Sequence, residues 1–219
     1  MCEDMPIRRR RHCLGLVEST LYALGGMVEG GSAAMTSVVA YDTRANKWST
    51  AGHLTHAVRS AACVAYMNSV YVFGGIDKDG KSLDHVQKYD TNPQNCVVLP
   101  NAMPQAQHSM RAVLWNNFAI LIGSQACYVY NLDEQLWQER HQYKTDVEYF
   151  GAAVVGEALF IAGGGRKKDK DSKVWECTDE VKSVHVGFVV EDKPAVWNLH
   201  ARLPQPSLIQ AHSVMSIYI

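Results

Sequence analysis

Paired glycines recur along this chain at a spacing that restricts it to a repeat architecture. Gly25-Gly26 and Gly74-Gly75 lie 49 residues apart, Gly123-Ser124 follows 49 later with the second glycine replaced, and Gly163-Gly164 follows 40 later. Each pair closes an apolar run: T-L-Y-A-L over Thr20 to Leu24, S-V-Y-V-F over Ser69 to Phe73, F-A-I-L-I over Phe118 to Ile122, and A-L-F-I-A over Ala158 to Ala162. Runs of β-branched and aromatic residues fit a pleated surface. A glycine pair permits positive φ and close backbone approach. A second series keeps step. Tyr41-Asp42-Thr43 with Trp48 matches Tyr89-Asp90-Thr91 with Cys96 in the tryptophan place; Tyr130-Asn131-Leu132 with Trp137 follows, and Trp197 fills that place in the fourth unit.

The stretch from Arg59 to Met103 spells out one whole unit. It predicts a strand over Ser60 to Tyr66, a turn at Met67-Asn68, and a second strand over Ser69 to Phe73. A polar loop follows, Ile76 to Asp84, containing Asp77-Lys78-Asp79-Gly80. A third strand near Val86 to Tyr89 and a short fourth over Cys96 to Leu99 complete it. Four antiparallel strands closed by a turn make one propeller blade. With the period near 50, the glycine pair, the Tyr-Asp turn and the tryptophan, the chain resembles the kelch repeat family, and more closely the kelch domains of the kelch-like BTB-BACK proteins.

The resemblance implies an all-β, kelch-type β-propeller of four blades plus the start of a fifth, an incomplete ring. Residues 1–10 read as a polar basic lead-in, with repeats at about 11–54, 59–104, 108–141 and 149–204 and a partial one at 207–219. Ile217-Tyr218-Ile219 matches Val70-Tyr71-Val72, so the chain is expected to stop inside a strand. The alternative is a closed ring of four blades, with residues 207–219 supplying the outer strand of the first. Trp48, Trp137 and Trp197 are expected to be buried between blades. Residues 187–194 read as an insertion in the fourth unit, which has lost its Tyr-Asp turn.

Composition excludes several classes. A formal net charge of −1 gives no reason to expect nucleic acid or membrane binding. No apolar run approaches the roughly 20 residues of a membrane helix, and Met1 to Arg11 has no apolar signal segment. The six cysteines include no C-x-x-C, and there is no N-x-[ST] acceptor, so a reducing, cytoplasmic setting is expected. The nine histidines form neither H-E-x-x-H nor a zinc spacing, and no G-x-S-x-G elbow or phosphate loop is present. Asp77-Lys78-Asp79-Gly80 places its glycine fourth, where a calcium loop needs it sixth. The expectation is therefore no catalytic residue, no metal and no cofactor. A kelch-fold oxidase, which needs a histidine and tyrosine cluster on the axis, is the remote alternative. Arg8 to Arg11 reads either as a solvated lead-in, the favoured reading, or as a localisation or phosphate-binding patch.

For function, the resemblance implies a protein-binding module, the substrate-recognition part of a cullin-3 ubiquitin ligase adaptor. Cullin-3 would be reached only through BTB and BACK regions that this chain lacks. An actin-binding kelch protein is the alternative. In such family members the residue after the glycine pair and the residue entering the first strand face the partner. Carried over position by position, the first set is Met27, Ile76, Gln125 and Gly165, and the second Arg11, Ser60, Ser109 and Tyr149, with Arg59 and Arg166 as adjacent charges. Family mouths are often rich in arginine and this one mostly is not, which counts against a purely acidic partner. The charged loop Arg166 to Lys173 reads equally as a recognition loop or a solvated turn.

Overall fold

The computed structural model describes residues 2–167 and 174–208. Most of the partial fifth repeat and the tip of the charged loop therefore lie outside the described residues. Within them the chain is all-β, with four four-stranded antiparallel sheets, each made of strands that pair in chain order. Sheet I comprises Cys13–Val17, Thr20–Leu24, Met35–Asp42 and Lys47–Val58; sheet II Ala62–Tyr66, Ser69–Phe73, Val86–Thr91 and Gln94–Val98. Sheet III comprises Arg111–Trp115, Phe118–Ile122, Cys127–Asn131 and Leu136–Glu139; sheet IV Gly151–Val155, Ala158–Ala162, Val181–His185 and Asn198–Leu199. The chain divides into two compact units, residues 1–109 carrying sheets I and II and residues 110–219 carrying sheets III and IV.

The hairpin between the first two strands is the same device four times. Each is a two-residue loop whose first residue has positive φ: Glu18, Met67, Asn116 and Gly156. That backbone twist matches the right-handed twist of the flanking strands.

The glycine pairs tie each second strand to later parts of its own unit. The first glycine's N–H donates to a carbonyl at, or just before, the start of the third strand: Gly25 to Ser37 O (3.1 Å), Gly74 to His85 O (2.9 Å), Gly163 to Glu180 O (2.9 Å). The second donates to the chain leaving the unit: Gly26 to Val58 O, Gly75 to Gln107 O and Gly164 to Ser207 O, each 2.8 Å. At Gly75 (φ +99) an added Cβ would lie 2.4 Å from Val58 Cγ2 and 2.8 Å from Arg59 O, so only glycine fits. Gly123 and Ser124 are not in the left-handed region, which is why serine is admitted there.

Each compact unit has its own core. In the first, Tyr22 and Tyr89 pack with ring centroids 5.9 Å apart, and Gly15 is bare where a Cβ would meet Val70 at 2.7 Å. The Tyr89 hydroxyl donates to the Ala51 carbonyl, satisfying its buried polar end. Buried Gln87 ties the two sheets by accepting from His56 N–H (2.8 Å) and donating to His56 O (3.2 Å). In the second, Val113, Ile120, Tyr143, Phe150, Leu159 and Val189 belong to one apolar cluster.

Within the 187–194 insertion, Val186–Glu191 is a helix, and buried Arg140 donates to two of its carbonyls, Val189 O (2.8 Å) and Val190 O (2.6 Å). The fourth strand of sheet IV is only Asn198–Leu199, paired with Lys182 and Ser183. One expectation is corrected. Trp48, Trp137 and Trp197 are half-buried rather than buried, because they stand on or next to the fourth strand, the outer edge of each sheet. Trp48 leans on its cross-strand neighbour Tyr41 (5.1 Å), and Trp137 on Tyr130 (4.4 Å).

Candidate functional site

The chain enters every first strand through a residue in the left-handed region, and none of the four is glycine: Arg11 (φ 56°), Ser60 (55°), Ser109 (59°) and Tyr149 (55°). Such a conformation costs an L residue on the order of 1–3 kcal/mol and persists only where the surroundings enforce it. For the first three a backbone ladder supplies it. Ser60 N–H donates to Arg11 O (2.9 Å), and Ser109 N–H to Ser60 O (2.8 Å). These four are the residues singled out from the sequence as entering the first strand.

The other set lies beside them. Arg10 pairs with Met27; Arg59 and Ile76 exchange two hydrogen bonds (3.0 and 2.8 Å); Glu148 and Gly165 exchange two of 2.9 Å. Sequence positions some 17 apart are thereby joined at the glycine end of sheets I, II and IV. In sheet III the connection is a tight turn, closed by Gly123 N–H to Ala126 O (2.9 Å), with Gln125 exposed on it.

Exposure separates the nine candidates. Arg11 and Gln125 are exposed. Arg59, Ile76, Ser109, Tyr149 and Arg166 are half-buried. Met27 (5% exposed) and Ser60 (1%) are buried, Ser60 as the middle rung of the ladder, and offer almost no surface to a partner. Gly165 is buried as well.

In the first unit the four-arginine run is split by its strand register. Arg9 turns inward, its Nη1 donating to Gly25 O (3.1 Å) and Ser37 O (3.0 Å), and burial lowers its pKa. Beside it, burial and the Arg9 charge push His12 down to about 4, so the ring is neutral near pH 7. The Arg11 guanidinium makes no hydrogen bond or ion pair among the described residues, and Arg59 Nε has no hydrogen-bond partner there. Cationic groups are thus left unneutralised at the entering residue of sheet I and just before that of sheet II.

The second unit is different. Arg166 Nε holds Asp146 Oδ2 at 2.6 Å, and its Nη2 lies 3.6 Å from Glu180. The hydrogen bond from Arg166 keeps the Asp146 carboxyl below the usual carboxylate range. Tyr149 meets Trp175 edge-on with centroids 5.1 Å apart, and Lys167 Nζ stands 5.8 Å from the Trp175 ring centre. Ser124, Asp146, Glu148, Arg166 and Trp175 line a surface depression of about 410 Å3. Behind the entering residue of sheet III, buried Arg111 donates from Nε to Phe150 O (2.7 Å), and desolvation pushes its pKa down to about 10.

Sequence reasoning missed Asp146, Glu148 and Trp175. For Glu148 a signal existed: it precedes Tyr149 as Arg10 precedes Arg11 and Arg59 precedes Ser60. Trp175 carried none, since its strand pairs back across residues 168–173. The His56 and His85 rings lie 4.7 Å apart along a groove of about 540 Å3, yet among the described residues no group of three or more His, Cys, Asp or Glu could hold a metal. Among the described residues no helix is long and apolar enough to cross a membrane.

The family model of the Kelch motif matches residues 8–55 and 57–101. Kelch-like protein 35 of Mus musculus is 29% identical over 158 residues, 71% of this chain and 27% of that protein. Kelch-like protein 38 of Danio rerio is 23% identical over 86% of this chain and 36% of its own length. The chain thus spans about a third of the curated relatives it matches. The solved structure of YjhT superposes with a TM-score of 0.76 at 14% identity, covering 92% of this chain and 73% of that one, a likeness of fold alone.

Proposed function

We infer that this chain, a kelch-repeat protein of the kelch-like family, uses the glycine end of its sheets to capture a protein partner, as the substrate-recognition part of a cullin-3 ubiquitin ligase adaptor. The kelch module as a protein-interaction unit is the common ground of these relatives; the ligase role rests on the family resemblance. One observation supports the site most: four strained, non-glycine residues stand at equivalent positions, and in sheets I, II and IV the residue before each pairs with the one that follows the glycine pair. Loops and turns held by a rigid scaffold are where recognition concentrates.

The two units offer a partner different kinds of contact. Arg11 and Arg59 offer unneutralised charge, whereas Arg166 is already held by Asp146 and Glu180 and lies near an aromatic pair. Immobilised wild-type chain should capture one or a few proteins that a triple variant, Arg11→Ala, Gln125→Ala and Tyr149→Ala, fails to retain. The variant's stability should change by less than about 1 kcal/mol. Unchanged capture, or loss of capture only alongside loss of stability, would overturn the assignment. The adaptor role is read separately: a version carrying BTB and BACK regions should co-purify cullin-3, and co-sedimentation with actin filaments without cullin-3 would replace it with the cytoskeletal reading.

A further inference from the structure

Sheet IV holds a second recess, distinct from the depression around Trp175, of about 240 Å3. Its lining is mixed: Val147, Ile161, Gly163 and Trp197 are apolar, and the rest is polar or charged. Trp197 is half-buried and, unlike Trp48 and Trp137, has no tyrosine opposite, because the fourth unit has lost its Tyr-Asp turn. No other aromatic ring touches it among the described residues. The two-residue outer strand, Asn198–Leu199, begins just past it and leaves the recess open.

The rim carries Lys144, Asp146, Glu180 and Lys182. Both carboxylates are engaged, Asp146 by Arg166 at 2.6 Å and Glu180 by Lys182 at 2.9 Å. Lys144 is exposed and has no ion pair among the described residues. The recess therefore joins an apolar portion that includes an indole to one uncommitted cation. Its volume lies below the roughly 300–1,000 Å3 of sites for drug-sized ligands, and suits a single large side chain.

We propose that this recess receives one aromatic side chain of a partner protein, with a carboxylate next to it on Lys144. The assignment rests on the protein-binding reading and adds an anchor lined by none of the nine residues expected from the sequence, though its Asp146 and Glu180 are held by one of them, Arg166. An aromatic ring gains offset or edge-on contact with Trp197, and the carboxylate supplies the missing counter-charge.

The test uses N-acetyl-phenylalanine and its carboxamide as probes, with saturation-transfer NMR on the 219-residue chain. The acid should bind in the millimolar range, and the amide about threefold or more weaker, the size of one exposed ion pair. Lys144→Gln should make acid and amide equal, and Trp197→Ala should abolish both. Should Trp197→Ala unfold, Thr178→Tyr, which fills the recess from its rim, must abolish both instead. The proposal is overturned by no transfer to the acid, by transfer that survives the Trp197 or Thr178 substitution in a folded chain, or by an acid preference that survives Lys144→Gln. Partner capture by a chain that ignores the probe would overturn the recess alone; probe binding by a chain that captures no protein would sustain the recess and sink the protein-binding reading.

Discussion

Arg111 shows how much one side chain can be asked to do. It is 1% exposed, donates to the carbonyls of Phe150 (2.7 Å) and Met110 (3.3 Å), and lies over the Phe150 ring at 5.7 Å. Burying the guanidinium opposes folding, as its lowered pKa records, yet removing it would strand the carbonyls it satisfies. Leaving a buried carbonyl unsatisfied typically costs about 1–3 kcal/mol, and Arg111 serves two. Arg111→Ala should therefore lower the urea midpoint by an amount equivalent to about 3 kcal/mol; a loss below about 1 kcal/mol would mean that water replaces the guanidinium. The sequence offered little warning of this role. Arg111 opens a strand, where a cation ordinarily reaches solvent, and its partner Phe150 is 39 residues away.

At the scale of elements, the two-stranded ribbon beside sheet IV, Gly165–Lys167 with Trp175–Cys177, is tied to the lead-in by the Glu148–Gly165 hydrogen bonds and by the Asp146–Arg166 pair. The folded Asp146 pKa is depressed, chiefly by the Arg166 hydrogen bond. Its contribution is thus fully present above the unfolded carboxylate value of about 4, and is lost as pH falls through the lower folded value. Both side chains are more than a third exposed, so solvent screening keeps the contribution modest. Below about pH 4 the Glu148 and Gly165 amides should lose hydrogen-exchange protection relative to neutral pH. Asp146→Asn should show the lower protection at every pH; a wild type indistinguishable from Asp146→Asn at neutral pH would sink the account. Element boundaries were legible where a local rule set them. The second strands run to their glycines as expected, whereas the 187–194 insertion became a helix because Arg140, nearly fifty residues earlier, supplies the donors that satisfy its last carbonyls.

At the scale of the whole molecule, five of the six cysteines report on both compact units. Cys2 and Cys177 are exposed, Cys13 and Cys63 are buried in the first unit, and Cys127 is buried in the second. Burial pushes the Cys127 thiol up to about 12, and a buried thiol is a poor nucleophile. Brief alkylation of the native chain at neutral pH should label Cys2 and Cys177, leaving Cys13, Cys63 and Cys127 intact by mass spectrometry. With rising urea, Cys13 and Cys63 should become reactive together, since they share one core; separate onsets would mean that sheets I and II do not unfold as one body.

By itself the sequence determined the repeat unit: the four strand pairs, their turns, the glycine pairs, and the eight positions placed at the glycine end. The strands, turns and glycine pairs follow from rules acting within a few consecutive residues, namely the alternation of a pleated strand and the φ values a turn demands; the eight positions came from the family resemblance. The Gly123-Ser124 exception and the lost Tyr-Asp turn were visible in the same way. Only the tertiary structure decided which of those positions face outward. Met27 and Ser60 are covered while Arg11 and Gln125 are not. It also decided that Arg166 is neutralised from residues 14 and 20 positions away while Arg11 is left bare. And it decided that Trp197 lines a recess. Burial and charge pairing depend on groups that meet only when strands distant in the chain pack against one another, and no local pattern of residues encodes which of them will meet.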